Sequence, residues 1–115
     1  MGLFSRFSKK KDQPKSEECV LIYLDAVNLP YEIYEKYDLS TLEDQLAEAI
    51  EKNKAGEFDG NEMGEGVTKI FTYGPDADRL YHAMESVLRD YPLCRNAKVV
   101  IRKGGPGSPQ KEVQL

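Results

Sequence analysis

The sequence holds 115 residues, a length typical of one domain, and a chain of this size buries about two-thirds of its unfolded surface on folding. Its formal net charge of −4 divides into +4 for residues 1–15 and −8 for residues 16–115. Nucleic-acid affinity comes largely from Lys and Arg side chains that displace counterions, so this acidic body argues against a nucleic-acid ligand.

Residues 1–15 are predicted to be a flexible basic arm ahead of the domain. Their few apolar side chains precede the lysines instead of following a charged start, which is not the order of a secretion signal. Leu3, Phe4 and Phe7 beside the lysine run could touch an anionic membrane weakly, but we expect a solvated arm. No apolar run approaches the ~20 residues of a membrane span, so we expect no stable membrane insertion.

The first predicted strand is the apolar run of residues 19–27, which is typical of a strand in the middle of a sheet. Residues 31–39 then place three tyrosines three positions apart, which indicates a turn or two of irregular helix. A longer helix is predicted to start at Ser40, whose spacing to Glu43 is that of a capping box, and to end before Gly56.

The second half of the chain is predicted to contain a strand, a helix and another strand. Residues 67–74 alternate in polarity and are rich in β-branched and aromatic side chains, which predicts a strand. Pro75 begins a helix that ends near residue 91, and residues 97–103 form the next strand. Residues 104–115 are a Gly- and Pro-containing tail that could add a short edge strand or fray.

If residues 56–61 supply one more short strand, the order becomes βαββαβ, the ferredoxin-like arrangement. We therefore predict an α+β domain over residues 16–103, with a four-stranded antiparallel sheet, two helices on one face and a possible extra strand from the tail. The other face would be open, so either residues 31–39 or a second subunit would cover it. Candidate interface residues on that face are Leu21, Tyr23, Phe71, Val100 and Arg102, with Tyr73 beside them.

The stretch GEFDGNEMGEG, residues 56–66, contains four glycines and four acidic side chains. It is not an EF-hand loop, because Met63 and Ile70 occupy positions that need oxygen ligands. It is not a phosphate-binding loop either, since no GK[ST] follows and the stretch runs into a strand. A hairpin connection is favoured, with its turn at residues 59–60 or 63–66.

The same hairpin carries an acidic cluster that could hold a hard cation such as Mg²⁺ or contact a basic partner. Strand alternation predicts that residues 57, 59 and 61 lie on one side and residues 58, 60 and 62 on the other. The candidate binding residues are Glu57, Asp59, Asn61, Glu62, Glu65, Tyr73 and Asp76.

The sequence identifies no catalytic residue. His82, the only histidine, lies between Arg79 and Glu85 on the polar side of a predicted helix, which is typical of a solvated face. Cys19 and Cys94 lie in or beside apolar runs without metal-binding spacing or a neighbouring base. We therefore expect free thiols in a reducing, cytoplasmic compartment and favour a protein that is not an enzyme.

At GEFDGNEMGEG, YGPDADRLY and VVIRKGGPGSPQKEVQL the sequence resembles an uncharacterised family of small bacterial cytosolic proteins. That family shares a helix starting near LED, an acidic hairpin with a DG pair and a helix that begins at YGPDA. The resemblance spans about residues 20–115 and implies a compact α/β protein of the cytosol. It transfers no reaction and no ligand.

The sequence favours a non-enzymatic binding or regulatory module that acts through protein contact as a homodimer, without a cofactor. The alternative is a small metal-dependent hydrolase or ligand-binding enzyme that uses the acidic hairpin around a divalent ion. An RNA-binding sheet is a third reading, since Tyr23, Phe71 and Tyr73 could stack on bases. Residues 67–73 lack the required RNA-binding pattern, and the net charge has the wrong sign.

Overall fold

A computed structural model describes residues 17–115 as an antiparallel sheet of five strands with three α-helices, which confirms the predicted α+β class. No helix in this range is long and apolar enough to cross a membrane. In chain order the elements are β1 (Glu18–Asp25), α1 (Tyr31–Lys36), α2 (Leu39–Lys52), β2 (Glu57–Gly64), β3 (Val67–Gly74), α3 (Ala77–Asp90), a 3-10 turn (Pro92–Cys94), β4 (Lys98–Arg102) and β5 (Gln110–Gln114).

The strands lie in the order β2-β3-β1-β4-β5, and each neighbouring pair is antiparallel. This architecture is broadly compatible with a ferredoxin-like fold to which a fifth strand has been added beside β4. That strand, β5, comes from the tail for which the sequence left both an edge strand and fraying open. The predicted basic arm, residues 1–15, lies outside the described residues.

The main core lies between the sheet and the two longer helices. Alternate residues of β1, such as Val20 and Ile22, point to the same cluster as Leu46 of α2 and Met84 of α3. All four side chains are completely buried. Since the apolar stripes of both helices pack on one face of the sheet, the predicted placement of the two helices on a single face is correct.

The first long helix starts two residues earlier than predicted and has a different cap. Asp38, and not Ser40, is the N-cap of α2, and its carboxylate accepts a hydrogen bond from the Thr41 amide. Ser40 donates its hydroxyl to the same carboxylate at 2.7 Å. The capping-box prediction was wrong because Glu43 turns into the protein, where only 4 % of it is exposed. A carboxylate two residues earlier therefore takes the capping role.

Helix α3, in contrast, starts later than predicted. Asp76 is its N-cap and accepts a hydrogen bond from the Arg79 amide, so Pro75 precedes the helix instead of occupying its first turn. The helix ends at Tyr91 before the 3-10 turn, as the Tyr-Pro pair predicted.

The short helix α1 does not cover the open face of the sheet. Ile33 and Tyr34 pack against the main core on the helix-bearing side. The Tyr34 hydroxyl accepts a hydrogen bond from the Leu29 amide and donates one to the Asp25 carbonyl, which fixes the chain after β1. The expectation that residues 31–39 could shield the opposite face is therefore wrong.

Candidate functional site

The face of the sheet opposite the helices carries all the predicted interface residues. Leu21 of β1 lies between Phe71 of β3 and Val100 of β4, and these three side chains form one row. Toward the end of β1, Tyr23 lies between Lys69 and Lys98. Toward its start, Cys19 lies between Tyr73 and Arg102. We call this surface the open face.

The apolar side chains of the open face are buried, with exposed fractions of 3 % for Leu21, 4 % for Val100 and 8 % for Phe71. Part of this cover comes from long cationic side chains of neighbouring strands. The Lys69 ammonium lies 4.9 Å from the Phe71 ring centroid and 5.3 Å from that of Tyr23, within the range of cation–π attraction. The open face is therefore not an exposed apolar surface.

One corner of the open face buries ionisable groups together. Tyr73 is 4 % exposed, and burial, followed by the negative charge of Asp59, raises the pKa of its phenol to about 12. Asp59 is itself completely buried. Burial also raises the pKa of the Cys19 thiol, although the nearby cations of Arg102 and Lys69 act in the opposite direction. The Tyr73 phenol and the Cys19 thiol therefore stay protonated near neutral pH.

The side chains of the acidic hairpin do not follow the predicted alternation between the two faces of the sheet. A β-bulge between Phe58 and Gly60 adds one residue to β2, so that Phe58 lies opposite Thr72 and Gly60 lies opposite Phe71. Beyond the bulge the sides are exchanged. Asn61 points to the helix side, where its amide donates to the buried Glu43, and it is not on the same side as Glu57.

Among the remaining candidate binding residues of the hairpin, Glu57 lies apart from Glu62 and Glu65. Glu57 is opposite Tyr73 at one end of β2, and Glu62 is opposite Lys69 near the other end. Glu65 and Gly66 make the turn, with φ of 53° at Glu65, so the tip at 63–66 and not residues 59–60 reverses the chain. Within residues 17–115 no group of three or more His, Cys, Asp or Glu side chains is arranged to hold a metal ion.

Two aspartates at the start of α3 have structural partners. Asp76 caps the helix, as described above, and the Ala77 amide donates to the Glu18 carboxylate at 2.7 Å. Asp78 accepts from Lys103 at 2.6 Å and pairs with Lys111 at 2.9 Å, and these hydrogen bonds lower its pKa to about 2. Asp78 therefore ties β5 and the residue that follows β4 to the helix.

The single histidine lies on a solvated helix face, and the two cysteines are buried. The His82 side chain is 71 % exposed and lies 3.3 Å from Glu85 on the solvated side of α3. Both cysteines are free and buried, and burial raises the pKa of Cys94 to about 12. A thiol that remains protonated at neutral pH is a poor nucleophile.

A cleft between α2 and the edge strand β2 carries a strongly negative lining. Its volume is about 670 Å³, and Phe58 lies at its β2 side. The acidic side chains that line the cleft are Asp44, Glu48, Glu51 and Glu57. Acidic side chains therefore continue from the edge strand β2 onto α2.

Three of the four large apolar side chains that are exposed among the described residues lie near the β2–β3 turn. Met63 is 65 % and Val27 63 % exposed, and Val67 lies opposite Asp25 at the end of β1. The Ala26 amide donates to the Gly66 carbonyl at 2.9 Å, which holds the chain after β1 against the turn. We call the surface of Val27, Met63 and Val67 the hairpin end.

An apolar groove adjoins the hairpin end. It has a volume of about 350 Å³ and is lined by Met63 and Thr68, by Tyr34 of α1 and by Tyr37 just after that helix. Tyr31, at the start of α1, is 72 % exposed. Sequence reasoning missed this surface, because a single Met in a turn and a Val after a strand carry no periodic signal.

The chain matches no known family, no curated protein and no solved structure.

Proposed function

We propose that the protein is a non-enzymatic binding or regulatory module of ferredoxin-like fold that acts through protein contact and pairs with a second copy of itself. The observation that supports this proposal is the concentration of exposed Val27, Met63 and Val67 at the hairpin end. Contiguous exposed apolar surface with a polar border is typical of protein contact sites. The side chains that could take part in catalysis have other positions. His82 is solvated, Cys19 and Cys94 are buried, and Asp38 and Asp76 cap helices.

The charges around the hairpin end suit a contact between two copies. Glu62 and Glu65 lie with Lys69 around a groove of about 330 Å³ that Met63 and Val67 also line. In a two-fold interface the same surface occurs on both subunits, so a patch must offer both charge signs to complement itself. Acidic and basic groups beside one apolar patch meet this requirement.

The size of the surface sets the expected strength of pairing. A stable interface typically buries about 800 Å² on each partner, more than a few side chains supply. To reach that area, the contact would also have to include the edge of β2 and the groove wall formed by Tyr34 and Tyr37. We therefore expect pairing in the micromolar range or weaker, as in transient assemblies.

The localisation and the family assignment are also proposals. A cytoplasmic, reducing home is supported by two buried thiols that do not form a disulfide. The resemblance to small bacterial proteins is supported by the motifs of the hairpin and of the α3 start. A metal-dependent activity at the acidic hairpin is the alternative that metal titration tests.

The test is the mass of the full chain in solution, measured by sedimentation equilibrium over a range of concentrations. The chain has a mass of 13.0 kDa, and we expect a reversible shift toward twice that value. Met63→Glu places a charge in the hairpin end and should weaken pairing by about tenfold or more, since buried unpaired charge is costly. Gln110→Glu adds the same charge on β5, at the opposite edge, and should leave pairing unchanged. A monomer at all concentrations would remove the self-pairing.

A further inference from the structure

The apolar groove beside the hairpin end has aromatic side chains that are fixed in place. Its volume of about 350 Å³ falls within the range of about 300–1,000 Å³ that is typical of small-molecule sites. The Tyr34 hydroxyl accepts from the Leu29 amide and donates to the Asp25 carbonyl, both at 3.0 Å. The Tyr37 ring packs edge-on against Tyr91, with 5.7 Å between the ring centroids. The two rings therefore keep their positions without help from a ligand.

The rest of the lining is mostly apolar and comes from elements that are distant in the sequence. Leu24 of β1 and Leu93 of the 3-10 turn are buried side chains of the main core that reach the groove. Leu39, the first residue of α2, and Met63 of β2 complete the apolar part. A ligand with an apolar body would therefore remove apolar surface from water when it binds.

Two carboxylates, Asp25 and Asp38, also line the groove. A hydrogen bond from the Val27 amide is the main cause that lowers the pKa of Asp25, and one from the Ser40 hydroxyl lowers that of Asp38, so both are negative at neutral pH. The described hydrogen bonds of the Asp25 carboxylate, from Val27 and Asn28, all end on Oδ1 at distances of 2.9 to 3.2 Å. Its Oδ2 atom therefore keeps its capacity to accept.

The charge of the groove is not balanced from within its lining. Among residues 17–115, none of those that line the groove is Lys or Arg. The groove therefore combines aromatic and aliphatic walls with two negative charges. A ligand that complements it needs an apolar body and a positive charge that can donate hydrogen bonds.

We propose that this groove is a binding site for a small organic amine, whose protonated nitrogen pairs with Asp25 while its apolar body packs between Tyr34 and Met63. An ammonium group donates hydrogen bonds only and a carboxylate accepts them only, so the two match. The tyrosine rings favour a cation as well. An anion of the same size would be repelled by Asp25 and Asp38, and a neutral analogue would make the apolar contact alone.

The size of the ligand sets the expected affinity. For an amine of about ten non-hydrogen atoms, we expect a dissociation constant of about 1 mM or below. Tyr34 and Tyr37 also belong to the wall that a contact between two copies would use. An occupied groove should therefore weaken pairing, a consequence that rests on the proposed function, whereas binding of the amine does not.

The experiment is an NMR titration of the ¹⁵N-labelled full chain with phenethylamine at pH 7. We expect saturable shifts for the amides of Ala26, Leu39 and Thr68, which line the groove. Two probes with the same ring separate charge from apolar contact, because phenethyl alcohol is neutral and phenylacetate is negative. Both should bind at least about tenfold more weakly than the amine, since neither forms the ion pair.

A charge variant tests the role of Asp25. Asp25→Asn removes the charge and keeps a side-chain oxygen that can accept from the Val27 amide. It should weaken binding of phenethylamine about tenfold and change binding of phenethyl alcohol by less than about twofold. Glu48→Gln is the matched control, because Glu48 lines the acidic cleft between α2 and β2 and not this groove. It should change neither affinity.

Three results would overturn the proposal. In the first, no amide of the groove shifts in a saturable way up to about 20 mM phenethylamine. In the second, the three probes bind equally well, which leaves the groove without selectivity for amines. In the third, the shifts lie in the acidic cleft and are lost in Glu48→Gln, which assigns the amine to that surface.

The comparison of the three probes uses the unmodified chain, so it decides the matter even if Asp25→Asn does not fold. Failure of this proposal is also distinct from failure of the pairing. A chain that stays monomeric at every concentration would refute pairing and leave the binding of the amine intact. A paired chain that ignores the amine would refute only the ligand site.

Discussion

Replacing Gly74 by alanine should destabilise the protein severely, because this glycine touches the backbone of the link between α2 and β2. A Cβ at position 74 would lie 2.2 Å from the carbonyl oxygen of Ala55, nearly 1 Å inside the closest distance that real Cβ atoms show. Neither partner can yield easily. Ala55 is buried, and its amide donates to the Ile50 carbonyl at 3.0 Å.

The expected magnitude follows from this geometry. Overpacking that side chains can absorb costs about 1–3 kcal/mol, and a clash between two backbones belongs at or above the upper end. Since small domains have free energies of unfolding of about 5–15 kcal/mol, Gly74→Ala should remove a large part of the total.

Gly64→Ala provides the matched control. Gly64 ends β2, and an added Cβ there meets no atom within 4 Å. Urea denaturation followed by circular dichroism should show a change within about 0.5 kcal/mol for this variant. If Gly74→Ala lost no more stability than Gly64→Ala, the close approach of residues 55 and 74 would be refuted.

Three further predictions address a surface anchor, a helix cap and metal binding. Asp78→Asn should lower the free energy of unfolding by about 0.5–1 kcal/mol at pH 7, because the pairs with Lys103 and Lys111 are partly exposed and screened. As the folded pKa is depressed, this stabilisation is present above about pH 4 and is lost as the pH falls toward 2, so denaturation curves of variant and unmodified chain should converge there. Asp38→Ala should lower the unfolding midpoint more than Ser40→Ala in thermal denaturation, and the reverse order would reject Asp38 as the cap. Millimolar Mg²⁺, Mn²⁺ or Ca²⁺ should produce neither calorimetric heat nor a thermal shift, and a shift would revive the metal-dependent alternative.

The sequence was sufficient for the elements whose signals are local and periodic. The apolar stripe of α2 and the alternation of β3 have one interpretation each, because their buried residues recur at helix and strand spacing. It was not sufficient where one residue changes the register. The bulge at Asp59 exchanges the sides of β2 downstream, so Asn61 faces Glu43 and not the side of Glu57. A period-two pattern cannot reveal such an insertion.

Competition between similar residues explains the errors at the helix starts. Asp38 and Ser40 are both good N-caps, and the choice depends on where Glu43 points, which is a tertiary property. The open face shows the opposite case. Its predicted residues lie on one face, but their burial was not predicted, because the positions of the Lys69 and Lys98 side chains over Tyr23 depend on the pairing of three strands.

The central claim, that the hairpin end is the contact surface between two copies, is tested most directly by NMR. In a dilution series of the ¹⁵N-labelled full chain, we expect concentration-dependent shifts for the amides of residues 26–27 and 63–68. The amides of β5, at the opposite edge of the sheet, should not shift. Spectra that do not change with concentration, or changes confined to β5, would contradict the account.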